Sequence, residues 1–462
     1  MHRSWIFVSV ILAGCASYQP KPLDPALLTQ RFEARSLGST GLRICLEQQL
    51  GHALAAWPLS RWDRQMLTLS AYCYSPELDI ARAQWQGSSA DVAVAGARPN
   101  PSLQLPFEYT TNHQGAGRPY TTGPMLDIPI ETAHKRSYRV AQASRLAEAA
   151  RLNILSQAWN VRSRVRALML ALYSAQRRVS LLEQQITAQR EIVGIMEKRE
   201  SVGAAAAPEG YRASLALIDA QTALASAQNE VQSVRSQLVI VIGLPVAALA
   251  SVELELDEFA SPGVPLPAAD AQRAALMHRA DLRAALAHYD ASQSALQLEV
   301  AKQYPDIHIG PGYTYDVGAN KISFGLAGIT LPIFNRKGAI AQAEAARAEA
   351  AARTVALQDT IITNLAQARA AYLAGEAAER LSASRQENAR RLLENEKASF
   401  DAGNSDRLAL TQARIVSQAA ELAHLDAIVR AQQVAGVLEE AMQMPLSTNV
   451  SGPLEQQDGV SQ

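Results

Sequence analysis

The fold is decided by residues 154–201, which read ILSQAWNVRSRVRALMLALYSAQRRVSLLEQQITAQREIVGIMEKRES. Mostly apolar side chains recur there at alternating spacings of four and three residues: Ile154, Ala158, Val161, Val165, Leu168, Leu172, Ala175, Val179, Leu182, Ile186, the polar exception Gln189, Val193 and Met196. This spacing is the heptad seam of a coiled coil, along which one helix packs against another. The flanking positions are rich in arginine and glutamate, so the other faces are expected to be wet or to meet a charged neighbour.

The seam belongs to a helix of unusual length. No proline occurs between Pro129 and Pro208, so one uninterrupted helix is predicted over residues 130–201. At the rise of an α-helix it is roughly 100 Å long, which a globular core cannot bury. A second seam follows and stops at the helix-terminating residues 243–245. The two helices should form an antiparallel hairpin through the turn 203–210, which taken alone also suits a long-helix scaffold with no pore.

The chain repeats one pattern of elements twice. Each half reads as helix, two strands, long helix, turn and helix, which predicts an internal duplication. Alternating apolar and polar residues mark four strands, at about 101–111, 121–130, 305–315 and 321–333. The alternation slips by one residue at Ala327-Gly328, which predicts a β-bulge.

The duplication sets the predicted boundaries along the chain. These are a signal peptide at 1–14, a lipid-anchored linker at 15–30, the first repeat at 31–245, a linker at 246–268, the second repeat at 269–445 and a flexible tail at 446–462. A helix is predicted over 31–57 in the first repeat. Gly203 and Gly403 correspond between the repeats, and the first turn is expected to carry extra residues at 204–208.

The N-terminus has the features of a secretion signal. A weakly basic start precedes the short apolar stretch 5–13, and Leu12-Ala13-Gly14-Cys15 resembles the bacterial lipobox, in which cleavage precedes a cysteine that becomes diacylated. The resemblance predicts lipidation of Cys15 and, because residue 16 is not Asp, anchoring in the outer membrane. An ordinary signal peptide with an incidental Cys15 is the alternative.

Composition excludes several classes of function. The 462-residue chain has a formal net charge of −1 and no stripe of lysine or arginine, so no nucleic-acid partner is expected. Aromatic residues make up only 5%, which favours elongated helices over a large compact core. We find no nucleophile elbow, phosphate loop or paired-histidine motif, and predict no enzyme, no cofactor and no metal site. Cys45 and Cys73 are compatible with a disulfide in an oxidising compartment and equally with two buried thiols.

Short motifs in a doubled order give the chain a family resemblance. Residues 98–101, Arg-Pro-Asn-Pro, precede the first strand pair, and Ile128-Pro129-Ile130 closes it. Leu331-Pro332-Ile333-Phe334-Asn335 stands at the corresponding point of the second half. In this order they resemble the TolC family of outer-membrane efflux factors, in particular its CzcC-type heavy-metal branch. The likeness covers nearly the whole mature chain, apart from residues 42–74 and the expected insertion in the first turn.

The resemblance implies a fold class and a set of partners. The fold would be mainly α with a small membrane β-barrel, built from four strands in each of three chains, and long antiparallel coiled-coil helices would form a periplasmic tunnel. The partners would be the other copies of a homotrimer, a periplasmic adaptor (membrane fusion) protein, an inner-membrane pump of the RND type, and outer-membrane lipid. Elementary physics agrees, because four strands cannot close a barrel and an open sheet edge cannot sit in lipid.

Alternation divides the strand residues into two sets. In a barrel the apolar set would face lipid: Leu103, Leu105, Phe107, Leu126, Ile128, Ile307, Ile309, Tyr313, Ile322 and Phe324. The polar set would face the aqueous lumen: Gln104, Glu108, Asp127, Asp306, His308 and Thr314. The alternative is a soluble sheet packed on helices.

The two helical turns are the best candidates for specific sites. The resemblance places 202–212 and 400–408 at the periplasmic tip, where the family's tunnel narrows and the adaptor docks. Candidate gate and adaptor-contact residues there are Gly203, Glu209, Arg212, Asp401, Gly403, Asp406 and Arg407. Three copies of Asp401 and Asp406 would form acidic rings that favour cations. The alternative is simple helix capping by Asp406, and both roles can coexist.

These features predict the outer-membrane channel component of a tripartite efflux system. It would passively conduct a substrate, such as metal ions or drugs, from pump and adaptor to the outside. The alternative is a lipid-anchored periplasmic coiled-coil scaffold protein without a pore. Nothing in the sequence itself identifies the substrate.

Overall fold

A computed structural model describes residues 18–250, 252–261, 266, 276–329, 334 and 336–446. The predicted signal peptide, Cys15, the motif at 330–333 and the tail beyond Leu446 lie outside the described residues. In chain order the helices are α1 (Pro25–Glu33), α2 (Thr40–Leu50), α3 (Arg64–Tyr74), α4 (Pro76–Gly96), α5 (Lys135–Ser201), α6 (Ala207–Ile242), α7 (Ala280–Ala301), α8 (Lys337–Asp401) and α9 (Arg407–Met442). The strands are β1 (Arg61–Trp62), β2 (Ser102–Gln104), β3 (Phe107–Tyr109), β4 (Tyr120–Thr122), β5 (Met125–Ile130), β6 (Glu253–Leu254), β7 (Ile307–Ile309), β8 (Gly312–Asp316), β9 (Ala319–Ser323) and β10 (Leu326–Ile329).

Two helical hairpins form most of the molecule. The predicted long helix is confirmed as α5, an unbroken helix of 67 residues that begins at Lys135, just after the end of β5. Its counterpart α8 has 65 residues, whereas the return helices α6 and α9 have 36 each. None of the described helices combines the length and apolar character needed to cross a lipid bilayer.

The shorter helices complete a layer that is four helices wide at every level. On the side of the turns, the order across the layer is α6, α5, α9 and α8. On the side of the sheet, α4 packs on α5, and α7 lies between α5 and α8. The layer therefore ends in α8 on one side and in α6 and α4 on the other.

The seam of α5 lies where the heptads predict. Val161, Val165 and Leu172 have no exposed surface, and even the polar member Gln189 is buried. Two arginines beside the seam, Arg162 and Arg166, are buried as well and meet a charged neighbour, Glu439. At these two positions the flank of the seam therefore meets a charged neighbour, which was one of the two expectations from the sequence.

Each of the four predicted strands is observed as two short strands in one line, here called arms 1 to 4. Arm 1 is β2 and β3, arm 2 is β4 and β5, arm 3 is β7 and β8, and arm 4 is β9 and β10. Proline or glycine stands at each break, because proline lacks the N–H that a ladder needs and glycine weakens a strand. The arms pair in the order 1, 2, 3, 4, all antiparallel. A register shift between Leu326 and Gly328 confirms the predicted bulge.

A compact core lies halfway along the helices, built from segments that the sequence left undefined. The single helix predicted over 31–57 is wrong, because α1 ends at Glu33 and α2 begins at Thr40 behind its N-cap Ser39. The linker after Pro245 also has defined structure, since β6 pairs in parallel with β1. Trp62 and Phe259 are buried together with residues of α5 and α6. This core ties both repeats together.

A disulfide crosslinks two helices of the core. Cys45 of α2 and Cys73 of α3 are bonded, which settles the alternative of two free thiols. The amide nitrogen of Gln49 donates to both sulfurs, at 3.4 and 3.2 Å. The bond closes a loop between residues 28 positions apart.

Replacing both cysteines by serine, Cys45→Ser with Cys73→Ser, should weaken the core by about 3 to 4 kcal/mol, because the unfolded chain regains the freedom that the loop removes. Thermal unfolding and limited proteolysis between α2 and α3 measure the loss. Reduction of the natural chain should give the same loss, and reduction should leave the double variant unchanged. A double variant as stable as the natural chain would contradict the prediction.

Candidate functional site

The register of the sheet sorts its residues onto two faces. In the half near the helices, Leu126 lies opposite Leu103, and Ile128 lies opposite Ile309. In the far half, Tyr313 lies opposite Ile322. We call this surface the apolar face, and the register also places Thr122 and Asn320 on it. Its apolar and aromatic strand residues are Leu103, Phe107, Tyr109, Tyr120, Leu126, Ile128, Ile130, Ile307, Ile309, Tyr313, Tyr315, Ile322, Leu326 and Ile329. Leu105 and Phe324 lie at the breaks between strands and are exposed.

The opposite surface, the polar face, carries Gln104, Glu108, Thr121, Asp127, His308, Thr314, Asp316 and Lys321. The Nδ1 of His308 donates to Oδ1 of Asp127 at 2.9 Å. Asp316 accepts from the hydroxyl of Thr121 at 2.8 Å and from Nζ of Lys321 at 2.5 Å. Polar side chains of three arms are therefore joined across the strands on one face.

Asp306 belongs to a different arrangement. It precedes β7, and its Oδ1 accepts from the backbone N–H of Thr132 at 2.9 Å and from Nζ of Lys135 at 2.7 Å. The same Nζ donates to the carbonyl of Tyr304 at 2.7 Å. Asp306 therefore fixes the junction where arm 2 turns into α5, and we leave it out of any lumen surface.

The two helical turns have the same length, so the predicted insertion at 204–208 is wrong. Five residues separate the helices in each case, 202–206 and 402–406. Gly203 and Gly403 adopt left-handed φ values of 74° and 76°, which glycine alone adopts without strain. Each turn has the same pair of closing hydrogen bonds to the end of the preceding helix. The difference in length between the two repeats therefore arises before the turns, since α5 has 67 residues and α8 has 65.

The candidate tip residues fall into two groups. Asp406 is the N-cap of α9, where its Oδ1 accepts from the N–H of Ala409 at 2.8 Å. Arg407 pairs with Glu191 of α5, and Arg414 donates to the same carboxylate at 3.3 Å, so these contacts join the two hairpins near their tips. The remaining candidates are exposed: Gly203, Glu209, Arg212, Asp401 and Gly403.

Sequence reasoning missed a group of buried charges between α5 and α9, here called the ionic joint. It comprises Arg162, Arg166, Gln432 and Glu439. Both guanidinium groups lie 3.6 Å from Oε2 of Glu439. Arg166 also donates to the backbone carbonyl and to the side-chain oxygen of Gln432, at 2.8 and 2.9 Å. Two positive groups thus share one carboxylate.

Burial dominates the electrostatics of the ionic joint. Desolvation lowers the pKa of Arg162 and of Arg166, and the attraction of Glu439 opposes that shift. The other carboxylate oxygen of Glu439 accepts from the N–H of Leu446 at 3.0 Å. A sequence signal was present at Gly436, where any Cβ would lie 2.4 Å from a nitrogen of Arg166. A glycine inside a long helix, opposite arginines at i and i+4, points to such close packing.

Within the described ranges, no group of three or more His, Cys, Asp or Glu side chains is arranged to hold a metal ion. The chain presents a two-faced sheet, a layer of long helices and two exposed turns.

Comparison with known proteins agrees with this duplicated architecture. The family model described as "Outer membrane efflux protein" matches residues 68–244 and 272–442, one segment in each repeat. The chain belongs to this family. The resemblance to TolC-type efflux factors is thereby confirmed, and the protein is an efflux channel component of the outer membrane. The alternative of a scaffold protein without a pore is not supported.

Similar proteins share the fold of the chain. The cobalt-zinc-cadmium resistance protein CzcC of Cupriavidus metallidurans is 26% identical over 292 residues, which are 62% of this chain and 68% of that protein. The outer membrane protein VceC of Vibrio cholerae is 20% identical, with a TM-score of 0.67 over 83% of this chain and 97% of VceC. The MtrE channel of Neisseria gonorrhoeae is 16% identical, with a TM-score of 0.65 over 83% of this chain and 89% of MtrE. Family members are channels that work with an adaptor and an inner-membrane pump.

Proposed function

We propose that three copies of this efflux protein close around one axis to form a continuous conduit. The observation that carries the proposal is that both layers end in open edges. Arms 1 and 4 are unpaired on their outer sides within the sheet. Three copies bring together twelve arms, each of which acts as one strand of the barrel, and twelve exceeds the minimum of about eight strands for a closed membrane barrel.

The helical layer supports the same closure. Its edge helix α8 exposes large apolar side chains, of which Leu381 is 74% exposed: Val355, Ile362, Leu373, Leu381 and Leu392. The opposite edge helix α6 exposes Tyr211, Leu215 and Ile218. Apolar rows of this extent typically mark a protein interface. Packing α8 of one copy against α6 and α4 of the next would cover both rows.

In this assembly the apolar face touches lipid and the polar face lines the lumen. Arm 2 runs eleven residues from Tyr120 to Ile130, about 33 Å along the strand and close to 25 Å across a membrane when tilted as barrel strands are. Glu108, Asp127 and Asp316 outnumber the cationic Lys321 on the polar face. A lumen with this balance of charge favours cations.

We further infer that the substrates are cationic, with divalent metal ions as the first choice. Two observations support this: the relative CzcC is described as a cobalt-zinc-cadmium resistance protein, and the polar face is acidic. A strain lacking the natural protein should become sensitive to cobalt, zinc or cadmium salts, and the natural gene should restore resistance. Restored resistance to drugs alone would assign the channel to drug efflux instead.

Single-channel recording in planar bilayers tests the conduit. Purified trimers should give stable conductance steps that are larger for cations than for anions. The variant Leu381→Asp should yield monomers and no steps, whereas Glu253→Asp, at an exposed position of β6, should conduct normally. Conductance from monomeric protein, or none from intact trimers, would overturn the proposal.

The turns are proposed as the periplasmic tip, where Asp401 and Asp406 are present three times around the axis and where an adaptor and an RND-type pump connect. Asp401→Asn combined with Asp406→Asn should weaken cation selectivity at low salt, since like charges in a narrow throat concentrate cations and salt screens them. Reversal potentials across a salt gradient measure the change. Asparagine caps a helix about as well as aspartate, so the double variant should keep the cap of α9 and most of its stability. An unchanged reversal potential in intact double-mutant trimers would leave capping as the only role.

Lipid anchoring through Cys15 is part of the proposal and rests on the lipobox-like residues 12–15. Cys15→Ala should abolish incorporation of a labelled fatty acid, because the thiol is the acceptor of the lipid. Metabolic labelling of cells that produce either form decides the point. Cys45→Ser with Cys73→Ser is the control and should keep full label. Undiminished label on Cys15→Ala would refute the anchor.

A further inference from the structure

An apolar cavity of about 820 Å³ lies where the sheet meets the helices. Its walls come from the first turns of α5, the last turns of α7 and the helix-side ends of arms 3 and 4. Its lining includes Tyr138, Val300, Tyr304, Ile307 and Ile329. The volume lies in the range of small-molecule sites, and the walls are mostly apolar, as such sites require.

The walls of the cavity are held in place by the junction around Asp306. Lys135, buried beneath it, donates to Asp306 and to the carbonyl of Tyr304. The hydroxyl of Thr132 donates to the carbonyl of Pro305 at 2.5 Å, which closes the same corner. These bonds fix α5 against the segment that follows α7, so the cavity is formed before any ligand arrives.

The cavity continues the apolar face. Ile307 lies opposite Ile130 and Ile329 in the register, and all three belong to that face. Ile307 and Ile329 also line the cavity. The cavity therefore extends the apolar face beyond the end of the strands, and in the proposed barrel this is the depth of the lipid head groups. Tyr138 and Tyr304 stand at this depth, where tyrosine is enriched in membrane proteins.

Position within the layer distinguishes a lipid from a second copy as the occupant. The cavity lies between α5 and α7, which are the two inner helices of the four on the sheet side. The edges proposed to meet another copy are α8 on one side and α4 with α6 on the other. Val300 is nevertheless 40% exposed and Tyr304 60% exposed, so apolar surface remains open on an inner part of the layer.

We propose that this cavity binds an acyl chain of a phospholipid from the periplasmic leaflet of the outer membrane. The inference rests on the proposed function in one respect, the contact of the apolar face with lipid. The bound chain would fill the gap at the joint between the rigid helices and the sheet. It would thereby fix the depth of the channel in the membrane.

The test compares two substitutions on the inner helix α7. Val300→Trp places a bulky ring in the cavity, whereas Leu286→Trp adds the same ring at an exposed position about four turns away and outside the cavity. Native mass spectrometry of trimers from membranes counts the phospholipids that survive mild detergent washing. The natural chain and Leu286→Trp should retain phospholipid in equal amounts, and Val300→Trp should retain at least fivefold less. Equal retention by all three proteins would overturn the proposal.

A second measurement needs no loss of binding. A photoreactive benzophenone amino acid introduced at position 300 should crosslink to phospholipid when cells are irradiated, and mass spectrometry of the digest identifies the adduct. A crosslink to a peptide of a second copy would assign the cavity to the trimer interface and overturn the proposal. Conductance of the Val300→Trp trimers separates the two proposals, because a conducting variant that keeps its lipid refutes the lipid site and leaves the conduit intact.

Discussion

Leu172→Asp should abolish assembly of the helical layer. Leu172 has no exposed surface and packs in the seam of α5 with the residues of the main core. A carboxylate there loses its water inside a cluster of apolar side chains. The expected cost is several kcal/mol, comparable with the whole stability of many domains. Heat resistance of the trimer on denaturing gels and thermal unfolding by circular dichroism measure the loss.

Two matched substitutions on the same helix control for this result. Ala167→Asp adds the same charge at an exposed position and should change stability by no more than about 0.5 kcal/mol. Gln189→Leu replaces the single polar member of the seam and should be neutral or stabilising, because a leucine suits that buried position. Trimers of Leu172→Asp that survive heating like the natural protein would show that the seam does not pack against other helices.

Glu439→Gln should be the second most damaging substitution. It removes the carboxylate that lies 3.6 Å from the guanidinium groups of both Arg162 and Arg166. Two buried positive charges then lose the counter-charge that contacts them, which typically costs about 3 to 5 kcal/mol. Glu440→Gln, at the next and exposed position of α9, is the control and should have little effect. Urea-induced unfolding followed by circular dichroism gives both values.

A double-mutant cycle distinguishes the ionic joint from general packing. Arg162→Met removes one of the two buried charges, so the combination with Glu439→Gln should be less damaging than the sum of the single losses. Strict additivity would mean that Arg162 and Glu439 do not interact. Equal stability of Glu439→Gln and Glu440→Gln would contradict the burial of charge between α5 and α9.

Local periodicity carried much of the fold. The seam around Leu172, the alternation along the arms and the bulge near Ala327-Gly328 were all predicted, because each depends on a pattern of adjacent residues that maps directly onto one helix or strand. The duplication followed from the same patterns. The comparison of the two turns was wrong, because it predicted extra residues in the first one. The glycines at 203 and 403 indicate where a helix ends, but they do not show how many residues belong to each element.

Contacts between distant segments were beyond the reach of these patterns. Arg162 and Arg166 are polar residues beside a seam, and only the approach of Glu439, more than 270 positions away, explains their burial. Asp306 looked like one more polar residue of an alternating strand, yet Lys135 holds it at the junction. The core that joins Trp62 to Phe259 unites short segments with no period of their own. Sequence alone determined which residues seek burial and with which spacing. The tertiary structure decided which charges meet, because that depends on where distant segments are brought together and how much water their packing excludes.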